Sequence, residues 1–402
     1  MKSKLIILTL IIGLLLSGTV FAEKDANQEV LHKLFTTEYD EIESLLDKSF
    51  MDKVNAQQVI NIVKTYKDNL GNIKQVNSTK EEGSYKVIFE KGEAPAKIVL
   101  NSENKIMGLW FGNWVLYEDS VDKILEEIKN LNGVSSVYIM KNNKETVLKY
   151  NEDKPLAVAS SYKLYVLKAL HDEVEKGNAS WDDVVSLNNK DRSLASGILQ
   201  GWPEGTPVTV KTLSSLMISL SDNTATDHLI DYIGREKIES NLSDINKPIL
   251  KTNEVFKLKW GVDSSAQEKY INGSIKEKRD IIKKLEDIDI NEVKVKQSPT
   301  LIDKVEWFFT TEELCNVIYD LKDANEIKIN SGLVNKDNWY IAGYKGGSEP
   351  GVLQFTHILQ KTKDSDVYTV SVTINNKKNI INNNKISELT TRLINLIEKN
   401  KI

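Results

Sequence analysis

The chain has 402 residues, 40% of them hydrophobic and 28% charged, with a formal net charge of −5. That balance excludes a mainly disordered chain, and it gives no reason to expect nucleic acid as a partner, because the lysines are scattered among acids. With Cys315 as the only cysteine, no intrachain disulfide is possible.

Lys2 and Lys4 precede an apolar run from Leu5 to Leu16, and small residues follow to Ala22. Such a segment is too short for an ideal membrane span and reads as a secretory signal peptide covering residues 1–22. Cleavage after Val20-Phe21-Ala22 would start the mature chain at Glu23; an uncleaved anchor is the alternative. No cysteine follows the run, so lipid attachment is not expected, and a secreted or cell-envelope location is. Residues 24 to 69 carry helical spacing (Val30, Leu31, Leu34, Ile42, Leu45, Leu46, Val59, Val63). From 73 to 116 the period shortens to two, with Tyr85, Val87 and Phe89 alternating with polar neighbours. Helices followed by a strand meander predict a small α+β domain over residues 23–118. This pattern resembles the nuclear-transport-factor-2-like cone. In such a cone Trp110, Phe111 and Trp114 would line a pocket; the alternative is that they pack against the helices.

A second domain is expected over residues 119–402. The spacing predicts a helix over 121–131, a strand hairpin over 134–150, and helices from Ser160 through about Ile233. Past Ile238 the sequence is charged and helical. Three strands follow at 339–345, 351–360 and 367–374, then an amphipathic helix through Ile386, Leu389, Leu393, Leu396 and Ile397. Strands at both ends with helices between imply one antiparallel sheet assembled from both termini. Cys315 falls on an amphipathic helix and reads as a small core residue.

Three short motifs stand in order within this domain. Ser160-Ser161-Tyr162-Lys163 opens a helix, which puts a serine hydroxyl near the positive end of the helix dipole. Lys163 lies three residues on, beside Ser160 on one face that continues through Leu167, Leu170 and Val174. Desolvation there would lower its pKa and free a neutral amine to act as a base. Alone, the pattern means little: Ser102 to Lys105 and Ser120 to Lys123 repeat its spacing, and an N-cap serine with a snorkelling lysine is the readier explanation. Ser221-Asp222-Asn223 ends an apolar helix; the residues either serve a cavity or cap the next helix. Lys345-Gly346-Gly347 ends a strand. The lysine would attract a carboxylate, the glycines would let a substrate approach the backbone, and the amides of Ser348 and Ser160 would form an oxyanion hole. The alternative is a plain hairpin turn.

Taken together, these motifs resemble those of the penicillin-recognising serine enzymes, in particular class A β-lactamases. The segment from Trp202-Pro203-Glu204-Gly205 to Asp227 strengthens the likeness. The resemblance implies a β-lactamase/transpeptidase-like three-layer sandwich, α/β around an antiparallel sheet. It implies Ser160 as nucleophile, Lys163 as base, Ser221 as proton shuttle, Asn223 as positioner and Lys345 as carboxylate attractor, with Gly347 and Ser348 at the substrate. Two departures stand out. Gly346 occupies the position where the family has a hydroxyl, unless Ser348 supplies it. The glutamate that activates the deacylating water has no full match; Glu254 is a poor stand-in, and Lys257 to Val305 looks like an inserted helical lid. The expected protein is an exported serine hydrolase acylated at Ser160 by a β-lactam, ester or peptidoglycan-derived substrate, with weak deacylation. The alternatives are a penicillin-binding or regulatory module without turnover, or an esterase or peptidoglycan peptidase. His32, His171, His228 and His357 share no metal-ligand spacing, and neither metal nor cofactor is expected.

Overall fold

The computed structural model describes residues 24–112, 114–194 and 196–402. The leader-like segment 1–22 lies outside these residues. The chain divides into two compact units, with the boundary between Ser120 and Val121. Among the described residues no helix is long and apolar enough to cross a membrane.

In the first unit, helices Lys24–Thr36 and Ala56–Leu70 pack on an antiparallel sheet whose strands, Ile73–Ser78, Ser84–Phe89, Gly92–Leu100 and Ile106–Phe111, are neighbours in chain order. Period-two burial fixes the sheet's inner face: Tyr85, Val87, Phe89, Ala94, Ala96 and Ile98 are buried. The second helix starts at a reciprocal cap, in which the Asn55 side chain takes the Gln58 amide and Gln58 returns the bond. Phe111 meets Phe35 edge-on at 5.4 Å, and Trp114 meets Tyr66 at 5.0 Å. These two aromatics therefore pack against the helices, and Trp110 is 40% exposed.

In the second unit, the five strands run in the order Ile341–Glu349, Val352–Gln360, Val367–Asn375, Val134–Lys141, Glu145–Tyr150, all antiparallel. The two termini of the unit thus build one sheet. Strand Val367–Asn375 shows why it is central. Val370, Val372 and Ile374 share a core with Ile124, Ile128, Leu389 and Leu393 of the two terminal helices. The alternate residues Thr369, Ser371 and Thr373 are also fully buried, on the opposite face, which helix Thr311–Asp320 covers. A strand buried on both faces needs a layer on each side. Cys315, on that covering helix, is fully buried, and burial pushes its thiol up to about 12.

The remaining helices form a second core around Tyr162, Leu167, Leu213, Met217, Leu229 and Ile230. Tyr270, Ile282 and Leu285 belong to it too. The insertion expected to be a lid over Lys257–Val305 is therefore anchored in the core by its apolar residues. Its helices span Ser264–Asn272 and Ile275–Lys284.

Candidate active site

Ser160 lies in a tight 3₁₀ turn, Ala159–Tyr162, which feeds the α-helix Lys163–Glu175. The turn is held from several sides. Val158 donates its amide to Trp307 O at 3.0 Å. Tyr162 stacks on Trp307 with centroids 3.8 Å apart. Ser161 donates its hydroxyl to Gln354 on the sheet, so the neighbouring serine is committed to structure. Ala159, just before Ser160, has a φ of +45°, a conformation that costs a non-glycine residue of order 1–3 kcal/mol. The Ser160 hydroxyl itself has no hydrogen-bond partner among the described residues and borders a cavity of about 430 Å³.

Ser221, Asn223, Gly347 and Ser348 border the same cavity. Lys163 is wholly buried behind it. The i,i+3 spacing suggested a partnership between Lys163 and Ser160; its Nζ instead donates to Ser221 O at 2.7 Å and Asn223 Oδ1 at 2.7 Å, with Ser221 Oγ 3.3 Å away. The second ammonium, Lys345, is 2% exposed and donates to Ser221 Oγ at 3.1 Å and to Gly346 O. One serine hydroxyl therefore stands between two buried lysines. Burial lowers Lys163 to about 7, against the pull of Asp227 and Asp222. Burial and then the neighbouring Lys163 push Lys345 well below its usual value.

Within Ser221-Asp222-Asn223, capping the next helix and bordering the cavity fall to different residues. Asp222 caps helix Asn223–Ile233 through the Ala225 amide at 2.8 Å, and its other oxygen takes the amides of Ile198 and Leu199. That clamp holds Ser221 at φ +55°, with its hydroxyl toward the lysines. Asn223 donates to Leu194 O at 3.1 Å, which orients its oxygen toward Lys163.

The strand Ile341–Glu349 is the edge of its sheet, and it pairs through the two-residue turn Pro350-Gly351, Glu349 facing Val352. A two-residue turn closes on a hydrogen-bonded pair, so alternate residues from Glu349 backward bond the neighbouring strand. The amides of Gly346 and Ser348 consequently face the open edge. The glycines serve the chain's own packing. A Cβ at Gly347 would lie 2.0 Å from Val158 O and 2.7 Å from Ser160 N. A Cβ at Gly346 would lie 2.0 Å from Tyr344 Oη. Both glycines also border the Ser160 cavity. Gly347 admits the Ser160 turn, and the Tyr344 ring covers Gly346.

Glu254 faces away from Ser160. It takes Arg235 at 2.7 and 3.1 Å and the Lys251 amide at 2.8 Å, and its neighbours Val255 and Phe256 line the Ser160 cavity instead. The carboxylates that do border that cavity are Glu306 and Glu349, both tied to the buried Lys259 at 2.6 and 2.7 Å. No local pattern announces this trio, because its members lie far apart in the chain. Three histidines outside the cavity are structural. His228 takes the Asn188 amide at 2.9 Å, His357 takes that of Leu333 at 3.2 Å, and His171 faces Glu326.

A β-lactamase of Pseudomonas aeruginosa, VEB-1, is 30% identical over 114 residues, 28% of this chain and 38% of that protein. A β-lactamase of Bacteroides uniformis is 26% identical over 162 residues, 37% of this chain and 53% of the relative. The match thus spans less than two thirds of either curated relative. A solved β-lactamase from Francisella tularensis shares the fold, with a TM-score of 0.50 at 16% identity, over 70% of this chain and 99% of that one. Residues 118–397, well over half of the chain, match the model of the β-lactamase enzyme family, and the chain belongs to that family.

Proposed function

We propose that the protein is a serine hydrolase that is acylated at Ser160 by a β-lactam or a related activated amide or ester. The observation that carries this reading is the Ser221 hydroxyl, 3.3 Å from Lys163 Nζ and 3.1 Å from Lys345 Nζ, at the cavity that Ser160 borders. As a neutral amine, Lys163 uses its two N–H bonds on Ser221 O and Asn223 Oδ1, which leaves its lone pair to accept a hydroxyl proton. Ser160 Oγ attacks the carbonyl carbon, and its proton passes to Lys163. The amides of Ser160 and Ser348 stabilise the oxyanion. The C–N bond breaks as Ser221 hands its proton to the leaving nitrogen and regains one from Lys163. Lys345 attracts the substrate's carboxylate. The leader-like residues 1–22 support export.

A second reading, a module that stays acylated, has one observation in its favour. Glu254 is engaged by Arg235 on the far side of its helix, so it is not aimed at a water near Ser160. Labelling with a fluorescent penicillin tests the main reading. The wild type should take up one equivalent and Ser160→Ala none; a wild type that stays unlabelled, or a variant that labels normally, would overturn it.

A further inference from the structure

One wall of the Ser160 cavity carries none of the reacting groups. It comes from a short α-helix, Thr252–Phe256, continued as a π-turn, Lys257–Gly261. Val255, Phe256 and Trp260 line the cavity from this segment, and Val295 and Trp307 extend the apolar surface. The wall is fixed in place. Asp227 takes the amides of Thr252 and Asn253 at 2.6 and 2.9 Å, and Val255 and Leu258 belong to the helical core. Trp260 stacks on Phe256 with ring centroids 5.8 Å apart, and the Lys259 ammonium lies 5.7 Å from the Trp260 centroid.

The edge strand Ile341–Glu349 shows which part of a substrate meets this wall. Lys345, Gly347 and Glu349 are alternate residues and share one face of the strand. Gly347 sits against the Ser160 amide, so Lys345 and Glu349 lie about 7 Å to either side of that point. Glu349 takes the Lys259 ammonium at 2.7 Å, which places the neighbouring Trp260 at the Glu349 end. In a penicillin the carboxylate is on the side of the leaving nitrogen. With that carboxylate drawn to Lys345, the acyl side chain runs the opposite way, toward Trp260 and Glu349. Negative charge is already crowded there. Glu306 and Glu349 share the one ammonium of Lys259, and burial, then Glu306, pushes the Glu349 carboxyl well above its usual value.

We propose that Phe256 and Trp260 form the subsite for the substrate's acyl side chain and select an apolar, aromatic group there, while Glu306 and Glu349 reject an anionic one. This rests on the acylation of Ser160 proposed above and defines the class of substrate for it. Two rings already held in place offer an aromatic substituent a large apolar area at little ordering cost. A carboxylate in the same position would leave water to face two acidic side chains whose only cation is taken, which is discrimination by repulsion.

Second-order rate constants of acylation test it, measured on the full chain with three probes: benzylpenicillin, its α-carboxy derivative, and the penicillin with an acetyl side chain. The wild type should react with benzylpenicillin roughly tenfold faster than with either of the others. In Trp260→Ala and in Phe256→Ala the ratio of benzyl to acetyl should fall toward one. A general loss of folding or of the nucleophile would lower both rates and leave that ratio unmoved. Glu306→Gln combined with Glu349→Gln leaves Lys259 unmatched and should raise the carboxy derivative relative to benzylpenicillin. Equal rates for the benzyl and acetyl probes in the wild type, a carboxy derivative that reacts as fast as benzylpenicillin, or a benzyl-to-acetyl ratio unchanged in both alanine variants would overturn the proposal and leave the Ser160 reading standing. A wild type acylated by none of the three would overturn the Ser160 reading and this proposal with it.

Discussion

Ser221 accepts from two lysines, and its backbone pose is set by the residue after it. Both lysines are buried, and Lys163 adds to the cost of charging Lys345. Lys163 carries the lesser shift, to about 7, because Asp227 and Asp222 partly offset its burial. A base must be neutral to act, so acylation should rise with pH through about 7 and fall below it. The stability effect has the same sign. The folded value of about 7 lies below the ordinary 10.5, so the unfolded chain binds more protons between them, and stability gains as pH rises across that window. Lys163→Ala should slow acylation by roughly 10²–10⁴ and remove the limb near 7. Stopped-flow acylation across pH checks both; an unchanged rate at neutral pH would return Lys163 to a packing role. The three motifs were legible because their residue types and order survive in one dimension. The clamp by Asp222 on Ile198 and Leu199 was not, since it joins segments that share no local pattern.

At the level of elements, the edge strand and the 3₁₀ turn are fitted to each other. The strands could be read from alternation, because each packs two faces and the period is two. The turn before Lys163 could not, since a 3₁₀ start and an α start share the same spacing of apolar residues. The glycine roles also required the fold: nothing in Lys345-Gly346-Gly347 tells which glycine meets backbone and which meets a side chain. These two should respond differently to a methyl group. In Gly347→Ala the Cβ meets Val158 O and Ser160 N, backbone atoms that cannot step aside. It should cost about 1–3 kcal/mol or more of stability and abolish acylation by displacing Ser160. In Gly346→Ala the Cβ meets the far end of the Tyr344 side chain and, at 3.0 Å, Gln354 O, a looser backbone contact than the 2.0 Å one at Gly347, so the milder outcome is expected, a folded protein that still labels with penicillin. Melting curves and labelling rates of the pair check this, and equal damage in both would contradict the assignment.

Over the whole molecule, the antiparallel sheet built from both termini and the helical core between them were legible in the order of elements. The charged stretch after Ile238 was not. Its apolar residues are few and spaced without a clear period, and their place beside Tyr162 and Leu229 is set by tertiary contact. This stretch contains Glu254 and Lys259, so the question of deacylation could be raised from the sequence, but the arrangement that bears on it could not be seen there. With Glu254 bound to Arg235, and with Glu306 and Glu349 sharing Lys259, no carboxylate is free of a cation at the Ser160 cavity among the described residues. Glu254→Gln should therefore leave deacylation unchanged while lowering thermal stability, because it strands Arg235; a trapped intermediate in that variant would make Glu254 the base after all.

The most direct measurement is a time course of intact-protein mass after mixing the protein with penicillin, followed by peptide mapping. The mechanism predicts a single addition of the whole penicillin mass within the acylation phase, located on the peptide containing Ser160, persisting long after free penicillin is removed and absent from Ser160→Ala. No adduct at any time together with no loss of penicillin, or an adduct mapped to another residue, would contradict it.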